Sequence, residues 1–491
     1  MIFDKLKELS KDTAIYGIST MVGRFLSFLL VPFYTNIFHP AEYGIIANIY
    51  IFIAIFNIVY VYGMDAAYLK YASLPSNGNE KDNFSTPYLS VFLSGILLSI
   101  LMILIRQPVF SLLEVPVNYY YLMYYSAGIL FLDSITVIPF IQLRLQRKAK
   151  KFAAFKLINI GVNIILNLVL ILKYKMGIEA VLISNIIASL SSLLLLLPAI
   201  FRNLRIRFNA ELLKKLLKFG IPYLPAGLSS MLIQGIDRPI LGKLTNLDTV
   251  GIYNACYKLG IFMMLFVNMF QYAWQPFFLQ NAEEKNAKEI FSKVLTYFTL
   301  ASGLILIILS LFIDNIVAIP LIHGRTLIDS DYWAGISIVP IILFGYLFNG
   351  IYVIFTAGIY IKEKSIYIPL ITGIGAVLNI GINFLVIPVW GIMGAAFATL
   401  AAYFAMAVGL YIVTQRFYKI EYEIAKLTKI FFAILLVGGI YYYLFYSNHL
   451  LLVYKFLLLI FFTIFIYFFV FDKKEIDFLR AKFAVLRQNR N

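Results

Sequence analysis

The sequence is poor in charge and almost without cysteine. Of its 491 residues, 13% are charged, whereas a soluble domain carries about a quarter. Too few charged side chains remain to cover a water-facing surface. The single cysteine, Cys256, excludes an intramolecular disulfide and a cysteine cluster that could hold zinc or an iron–sulfur centre. We therefore expect no metal site and no cofactor.

What the chain has in abundance is apolar sequence. Hydrophobic residues make up 62% of it, and apolar stretches long enough to cross a hydrocarbon core of about 30 Å recur along almost its whole length. The first stretch is too long for a cleaved signal and has no small-residue cleavage site, so it is interpreted as a span. The sequence predicts an all-α integral membrane protein with about 14 transmembrane helices.

The net charge of +16 could indicate a nucleic-acid partner, but its distribution predicts membrane topology instead. Most of the 41 lysines and arginines lie in alternate loops. Because cytoplasmic loops carry the excess of positive charge, this pattern predicts that both termini are cytoplasmic. Anionic membrane lipids are a further expected partner of these loops, and nucleic acid is not.

The chain repeats itself with an offset slightly above two hundred residues. Gly44-Ile45 recurs as Gly251-Ile252, and Phe219-Gly220-Ile221 echoes Tyr16-Gly17-Ile18. Since each repeat holds an even number of helices, the copies should be related by an axis along the membrane normal. The predicted units are a six-helix bundle (1–200), a basic cytoplasmic linker (201–218), a second parallel six-helix bundle (219–415), helices 13 and 14 (416–471) and a basic cytoplasmic tail (472–491).

Several charged residues fall inside predicted spans, where each costs at least about 2.5–3.5 kcal/mol and so needs a partner, a watery cavity or a function. The cations are Arg24, Arg238 and Lys258, and the acids are Asp133 and Asp237. Helical spacing places some of them on stripes of small or polar residues that predict a shared polar interior. The polar residues predicted to line it are Thr20, Ser27, Gln234, Asn254 and Asn268. Structural alternatives remain open, namely ion pairing for the arginines and snorkelling for Lys258.

Prolines interrupt two of these spans. Pro222, Pro225 and Pro239 lie in predicted helix 7, and Pro276 lies in predicted helix 8. Each removes a helical hydrogen bond and permits a kink. Interrupted spanning helices indicate binding or hinge regions.

Taken together, these motifs resemble the polysaccharide flippases, the Wzx-like members of the multidrug/oligosaccharidyl-lipid/polysaccharide exporter superfamily. The residues that carry the resemblance are the segment from Tyr16-Gly17 to Tyr43-Gly44 around Arg24, Phe219-Gly220-Ile221-Pro222 leading to Asp237-Arg238, and the Asn-x3-Asn pairs at Asn163 and Asn379. The resemblance implies a V-shaped, MATE-like pair of bundles with alternating access. It implies a cationic cavity formed by Arg24, Arg238 and Lys258 for the diphosphate of a polyprenyl-linked oligosaccharide.

The same resemblance implies coupling to a proton or sodium gradient, with Asp133 or Asp237 as candidate coupling groups or charge partners. Polysaccharide assembly proteins are further candidate partners, and the expected location is the cytoplasmic (inner) membrane of a bacterium. One alternative is an exporter of cationic drugs, but its cavity should be acidic. Another is a membrane glycosyltransferase or polymerase, which is less favoured because the short outer loops leave little room for a catalytic site.

Overall fold

Most of the described residues of the computed structural model are helical. They include no β-strand, only an isolated bridge between Pro320 and Thr326. The all-helical prediction is thereby confirmed for this part of the chain. The structure describes residues 17, 21–72, 80–205, 207–321, 324–447, 449–473 and 475–477.

The first half of the chain forms seven helical units, numbered here in chain order. The α2 unit continues through Tyr62 and Gly63, whose φ angles of 36° and 73° break its helical hydrogen bonding. The units are α1 (Met21–Thr35), α2 (Pro40–Ala72), α3 (Glu80–Leu104), α4 (Leu122–Leu145), α5 (Ala149–Lys173), α6 (Glu179–Asn203) and the bent α7 (Ala210–Gly220 with Tyr223–Gly235), which the short helix Asp237–Leu244 follows.

The second half begins with another bent unit. Its longest helix, Tyr367–Phe417, is interrupted at Gly391, where φ is 52° and ψ is −129°, so it is counted as two units. The units are α8 (Leu247–Lys258 with Ile261–Asn281), α9 (Ala287–Val317), α10 (Ser330–Ile361), α11 (367–390), α12 (392–417), α13 (Ile424–Tyr446) and α14 (Leu452–Phe469).

These helices are apolar and long enough to make this a multi-pass membrane protein. Ten helices in the described ranges could each cross a membrane, or up to 12 if each bent pair is one span. The total of fourteen spans, the division into two bundles and the cytoplasmic position of both ends stay predictions.

Both bent units change direction where the sequence cannot sustain a regular helix. The α7 unit bends by 42° at Ile221-Pro222, because proline cannot donate the next helical hydrogen bond. The α8 unit bends by 46° between Lys258 and Ile261, around Gly260 and some distance from Pro276. Arg238 lies just after a further break at Ile236, and Lys258 ends the first part of α8. Two of the predicted cations therefore lie at helix interruptions.

The N-terminal ends of α2 and α8 meet in a reciprocal contact through glycine. A Cβ added to Gly44 would lie under 3.0 Å from the carbonyl oxygen of Leu247, and one added to Gly251 would lie equally close to the carbonyl oxygen of Pro40. Each glycine thus packs on the backbone four residues before the other. This is the contact expected from a twofold relation between the repeated motifs. We call it the α2–α8 glycine contact.

Ion pairs join α14 to α9 and join α13 to the residues that follow α14. Lys455 on α14 is 2% exposed, and its ammonium lies 2.5 Å from the Asp314 carboxylate on α9. At the opposite end of α14, Lys426 of α13 lies 2.7 Å from Asp472 and 3.1 Å from Glu475. Both ends of α14 are therefore fixed by charge as well as by apolar packing.

Candidate functional site

A cavity between the two halves of the molecule contains the predicted cations. Its volume is about 590 Å³, within the range of about 300–1,000 Å³ that ligand pockets occupy. Arg24 of α1, Lys156 of α5, Arg238 and Lys258 all line it. No acidic side chain is among the described residues that line it. We call this space the central cavity.

Arg238 is the most firmly held of the four cations. It is buried, and its Nη1 donates to the Asp237 carboxylate at 2.7 Å and to the Gln234 carbonyl oxygen at 2.7 Å. Its Nε donates to the side-chain oxygen of Asn254 at 3.2 Å, and its guanidinium lies 4.2 Å from the centroid of the Tyr257 ring. These contacts fix the orientation of the guanidinium toward the cavity before any ligand arrives.

Arg24 and Lys258 are exposed to the cavity and free of acidic partners. Neither makes an ion pair with a described residue; Arg24 approaches the sulfur of Met264 at 3.7 Å, and the Lys258 ammonium lies 5.6 Å from the Tyr43 ring centroid. Their charges are therefore not neutralised by the described part of the protein. An anionic ligand would supply the missing counter-charge.

Lys156 completes the set, and the sequence analysis did not identify it. It follows a run of basic residues that is typical of a cytoplasmic loop, yet its side chain is exposed to the cavity. A signal was present, because Lys156, Asn159, Asn163 and Asn167 follow one another at spacings of three and four residues. That spacing places all of them on one face of α5.

The predicted polar residues divide between the cavity and the packing around it. Ser27 and Gln234 line the central cavity, and Asn268 lines an adjoining space of about 270 Å³ that Arg24 and Gln234 also border. Asn254 is 4% exposed and orients Arg238 from behind. Thr20 lies outside the described residues.

The two predicted acids have different surroundings. Asp237 is fully buried; one carboxylate oxygen accepts from Arg238, and the other accepts from the Tyr253 hydroxyl at 2.5 Å. Asp133 lines a second pocket of about 460 Å³, where it accepts from the Ser189 hydroxyl at 2.6 Å. We call this second space the N-terminal pocket. Lys156 and Asn159 border both spaces.

This arrangement is suited to bind an anion reversibly. Arginine and lysine donors aimed into a cavity form charge-assisted hydrogen bonds with phosphate oxygens, and the planar arginine fork matches two of these oxygens at once. The site contains polar hydroxyl and amide groups but no metal-ligand cluster of His, Cys, Asp or Glu among the described residues. What these side chains can offer a ligand is charge-assisted hydrogen bonding.

Comparison with known proteins identifies a family. A family model described as "Polysaccharide biosynthesis protein" matches residues 35–319, more than half of the chain. The match includes Lys156, Arg238 and Lys258 but begins after Arg24. No curated protein matches the chain.

Solved structures share the fold at low sequence identity. The structure of lipid II flippase MurJ in an inward closed conformation matches with a TM-score of 0.72 at 19% identity, covering 92% of this chain and 98% of MurJ. An inward-facing multidrug resistance MATE family transporter of the MOP superfamily matches with a TM-score of 0.67 at 12% identity, covering 82% of this chain and 97% of its own. An outward-facing MATE transporter matches at 0.60 with 14% identity, covering 83% and 95%.

Proposed function

Because this chain belongs to the polysaccharide biosynthesis protein family and has the fold of MOP-superfamily transporters, we propose that it is a flippase for a polyprenyl-diphosphate-linked oligosaccharide. It moves this lipid from the inner to the outer leaflet of the cytoplasmic membrane of a bacterium. The protein acts as a carrier and not as an enzyme. A proton or sodium gradient resets it after each passage.

The observation that carries this proposal is the composition of the central cavity, which has four cations and no described acid. A diphosphate of charge about −2 would neutralise part of this excess, and hydrogen bonds to charged groups contribute about 1.5–3 kcal/mol each. A cationic drug would instead meet repulsion from every ionised side chain in the cavity. The flippase is therefore favoured over the exporter of cationic drugs.

The positions of the cations also support a carrier that alternates between two openings. Arg238 and Lys258 lie at interruptions of their helices, where the backbone can change direction without unfolding a whole span. The inside-negative potential of the membrane would favour outward movement of the anion by about 2.3 kcal/mol per charge per 100 mV. Transport of the lipid outward is thus electrically downhill.

Binding of a fluorescent lipid to the purified protein, and its transport in proteoliposomes, test the proposal. The probe is a polyprenyl diphosphate bearing a labelled oligosaccharide, and the variants are Arg24→Ala, Lys156→Ala and Lys258→Ala. Arg238→Ala is a poorer first choice because it leaves the buried Asp237 carboxylate without its cation. Each of the three variants should bind the lipid roughly 10- to 150-fold more weakly, the equivalent of about 1.5–3 kcal/mol.

The matched control is Lys243→Ala, which removes an exposed lysine outside the cavity. It should bind and move the lipid like the unmodified protein. If the unmodified protein moves no polyprenyl diphosphate but exports a cationic dye, the flippase proposal is wrong and the drug exporter takes its place. If all three cavity variants bind as tightly as the control, the cavity is not the binding site.

A further inference from the structure

The N-terminal pocket has a charge balance different from that of the central cavity. Its lining includes two acids, Asp65 and Asp133, and two bases, Arg144 and Lys156. The formal charge of the lining is therefore zero, whereas the central cavity has only bases. A ligand part that suits this pocket should be neutral and rich in hydrogen-bonding groups.

The pocket presents hydrogen-bond acceptors that the protein leaves unused. Asn159 donates through its side-chain nitrogen to the Ala188 carbonyl oxygen at 2.7 Å and to the Ser192 hydroxyl at 3.0 Å, and Asn185 donates to the Tyr50 hydroxyl at 3.1 Å. Both amide nitrogens are thus held by neighbouring helices. No described residue donates to the side-chain oxygen of either amide, nor to Oδ2 of Asp133.

Acceptor oxygens that lie beside a cation are better suited to bind the hydroxyl groups of a ligand than to bind a metal ion. Sugar hydroxyls donate to carboxylate and amide oxygens and can accept from an ammonium such as that of Lys156. A bound metal cation would be repelled by Lys156, which lies close enough to Asp133 for their charges to attract each other. At about 460 Å³ the pocket is within the size range of ligand sites.

We propose that the N-terminal pocket is a sugar subsite, in which Asp133, Asn159 and Asn185 accept hydrogen bonds from the oligosaccharide while the diphosphate occupies the central cavity. The inference rests on the proposed flippase function and adds the location and chemistry of sugar recognition. Lys156 and Asn159 border both spaces, so the bond between phosphate and first sugar would lie beside α5.

Binding of two lipids to the full-length protein tests the subsite. One probe is a polyprenyl diphosphate bearing the oligosaccharide extracted from the producing cells, and the other is the same polyprenyl diphosphate without sugar. The variants Asn159→Leu and Asn185→Leu keep the side-chain volume but remove the acceptor. Each should weaken binding of the glycosylated lipid about tenfold, equivalent to about 1.4 kcal/mol. Asn185→Leu, whose side chain lines the N-terminal pocket but not the central cavity, should leave binding of the sugar-free lipid unchanged.

Unchanged binding of the sugar-free lipid also shows that the Asn185→Leu variant is folded. The control is Asn281→Leu, an amide outside both spaces that donates to the Phe277 carbonyl oxygen at 2.7 Å. If the variants bind both lipids like the control, the sugar subsite is refuted while the diphosphate site stands. If they lose sodium binding but keep their preference between the lipids, the pocket is an ion site. If the unmodified protein binds neither lipid, the proposed function itself fails.

Discussion

Replacing Gly44 with alanine should push the N-terminal ends of α2 and α8 apart. A Cβ at this position would lie under 3.0 Å from the Leu247 carbonyl oxygen, whereas an ordinary contact measures 3.4–4 Å. Because the obstructing atom belongs to the backbone, no side-chain rotation relieves the clash. The two helices must therefore separate by at least 0.4 Å, the difference between 3.4 and 3.0 Å.

The free-energy cost of such overpacking is about 1–3 kcal/mol. This cost raises the free energy of only the conformation in which the α2–α8 glycine contact is closed. In a carrier that alternates between two openings, the ratio of open to closed molecules at this end should rise roughly 5- to 150-fold. At an ordinary helical position alanine is more stable than glycine by about 0.5–1 kcal/mol. At Gly44 the same substitution should instead destabilise the closed conformation.

The predicted topology, with both termini cytoplasmic, places the α2–α8 glycine contact at the outer face of the membrane, so cysteine labelling from outside the cell measures this shift. The only cysteine, Cys256, is fully buried and can be replaced to give a clean background, into which Gln234→Cys introduces a thiol that faces the central cavity. An impermeant maleimide should modify this thiol faster when Gly44→Ala is present. The matched control is Gly161→Ala, since a Cβ added there has no neighbour within 4 Å. Equal labelling rates in the two backgrounds would refute the reasoning.

Three further predictions concern stability. Asp237→Asn leaves Arg238 charged and without its carboxylate, so it should cost about 3–5 kcal/mol and lower the unfolding temperature in detergent; an unchanged temperature would contradict this. Lys455→Met should lower the unfolding temperature less than Asp237→Asn does, because its acidic partner Asp314 on α9 is 33% exposed and water can solvate the carboxylate left behind. Burial raises the pKa of Glu475, but the Asp472 amide, the Tyr297 hydroxyl and Lys426 outweigh it and hold that pKa below its ordinary value of 4.5. The stability that ionised Glu475 contributes is therefore complete above pH 4.5 and is lost as the pH falls through the lowered pKa. Proteolysis of the C-terminal tail should accelerate over that pH range. In Lys426→Met, which lacks the ion pair with Glu475, this pH dependence should be weaker.

The sequence allowed much of the fold to be predicted because apolar length and charge are set by the bilayer. An apolar stretch of a given length has few alternatives to a spanning helix. The family match places the chain among polysaccharide biosynthesis proteins, and the solved structures confirm the fold that the resemblance to Wzx-like flippases implies. Bends were harder to locate. Pro222 marks the α7 bend. The α8 unit bends at Gly260 instead, where a Cβ would lie 2.8 Å from the Ile342 side chain of α10, so the absence of a side chain permits a close helix contact at this bend.

The cavity was predicted in part. Arg24, Arg238 and Lys258 were identified because isolated cations in apolar sequence are costly, and the structure places all three around one space. Periodicity shows which face of a helix is polar but not whether that face meets water or another helix, so Asn254 was predicted to line the cavity and instead supports Arg238 from behind. Lys156 was missed since a lysine near a basic loop has an ordinary explanation.

The unneutralised cations of the central cavity should affect how long the protein survives in the cell. In a carrier with an empty cavity Arg24 and Lys258 lack a counter-charge, while in a loaded one the anionic ligand would supply it. A ligand present at a hundred times its dissociation constant stabilises the folded state by about 2.7 kcal/mol. Empty carriers should therefore be removed faster by membrane proteases. The amount of carrier in the membrane would then follow the supply of its lipid without any change in gene expression.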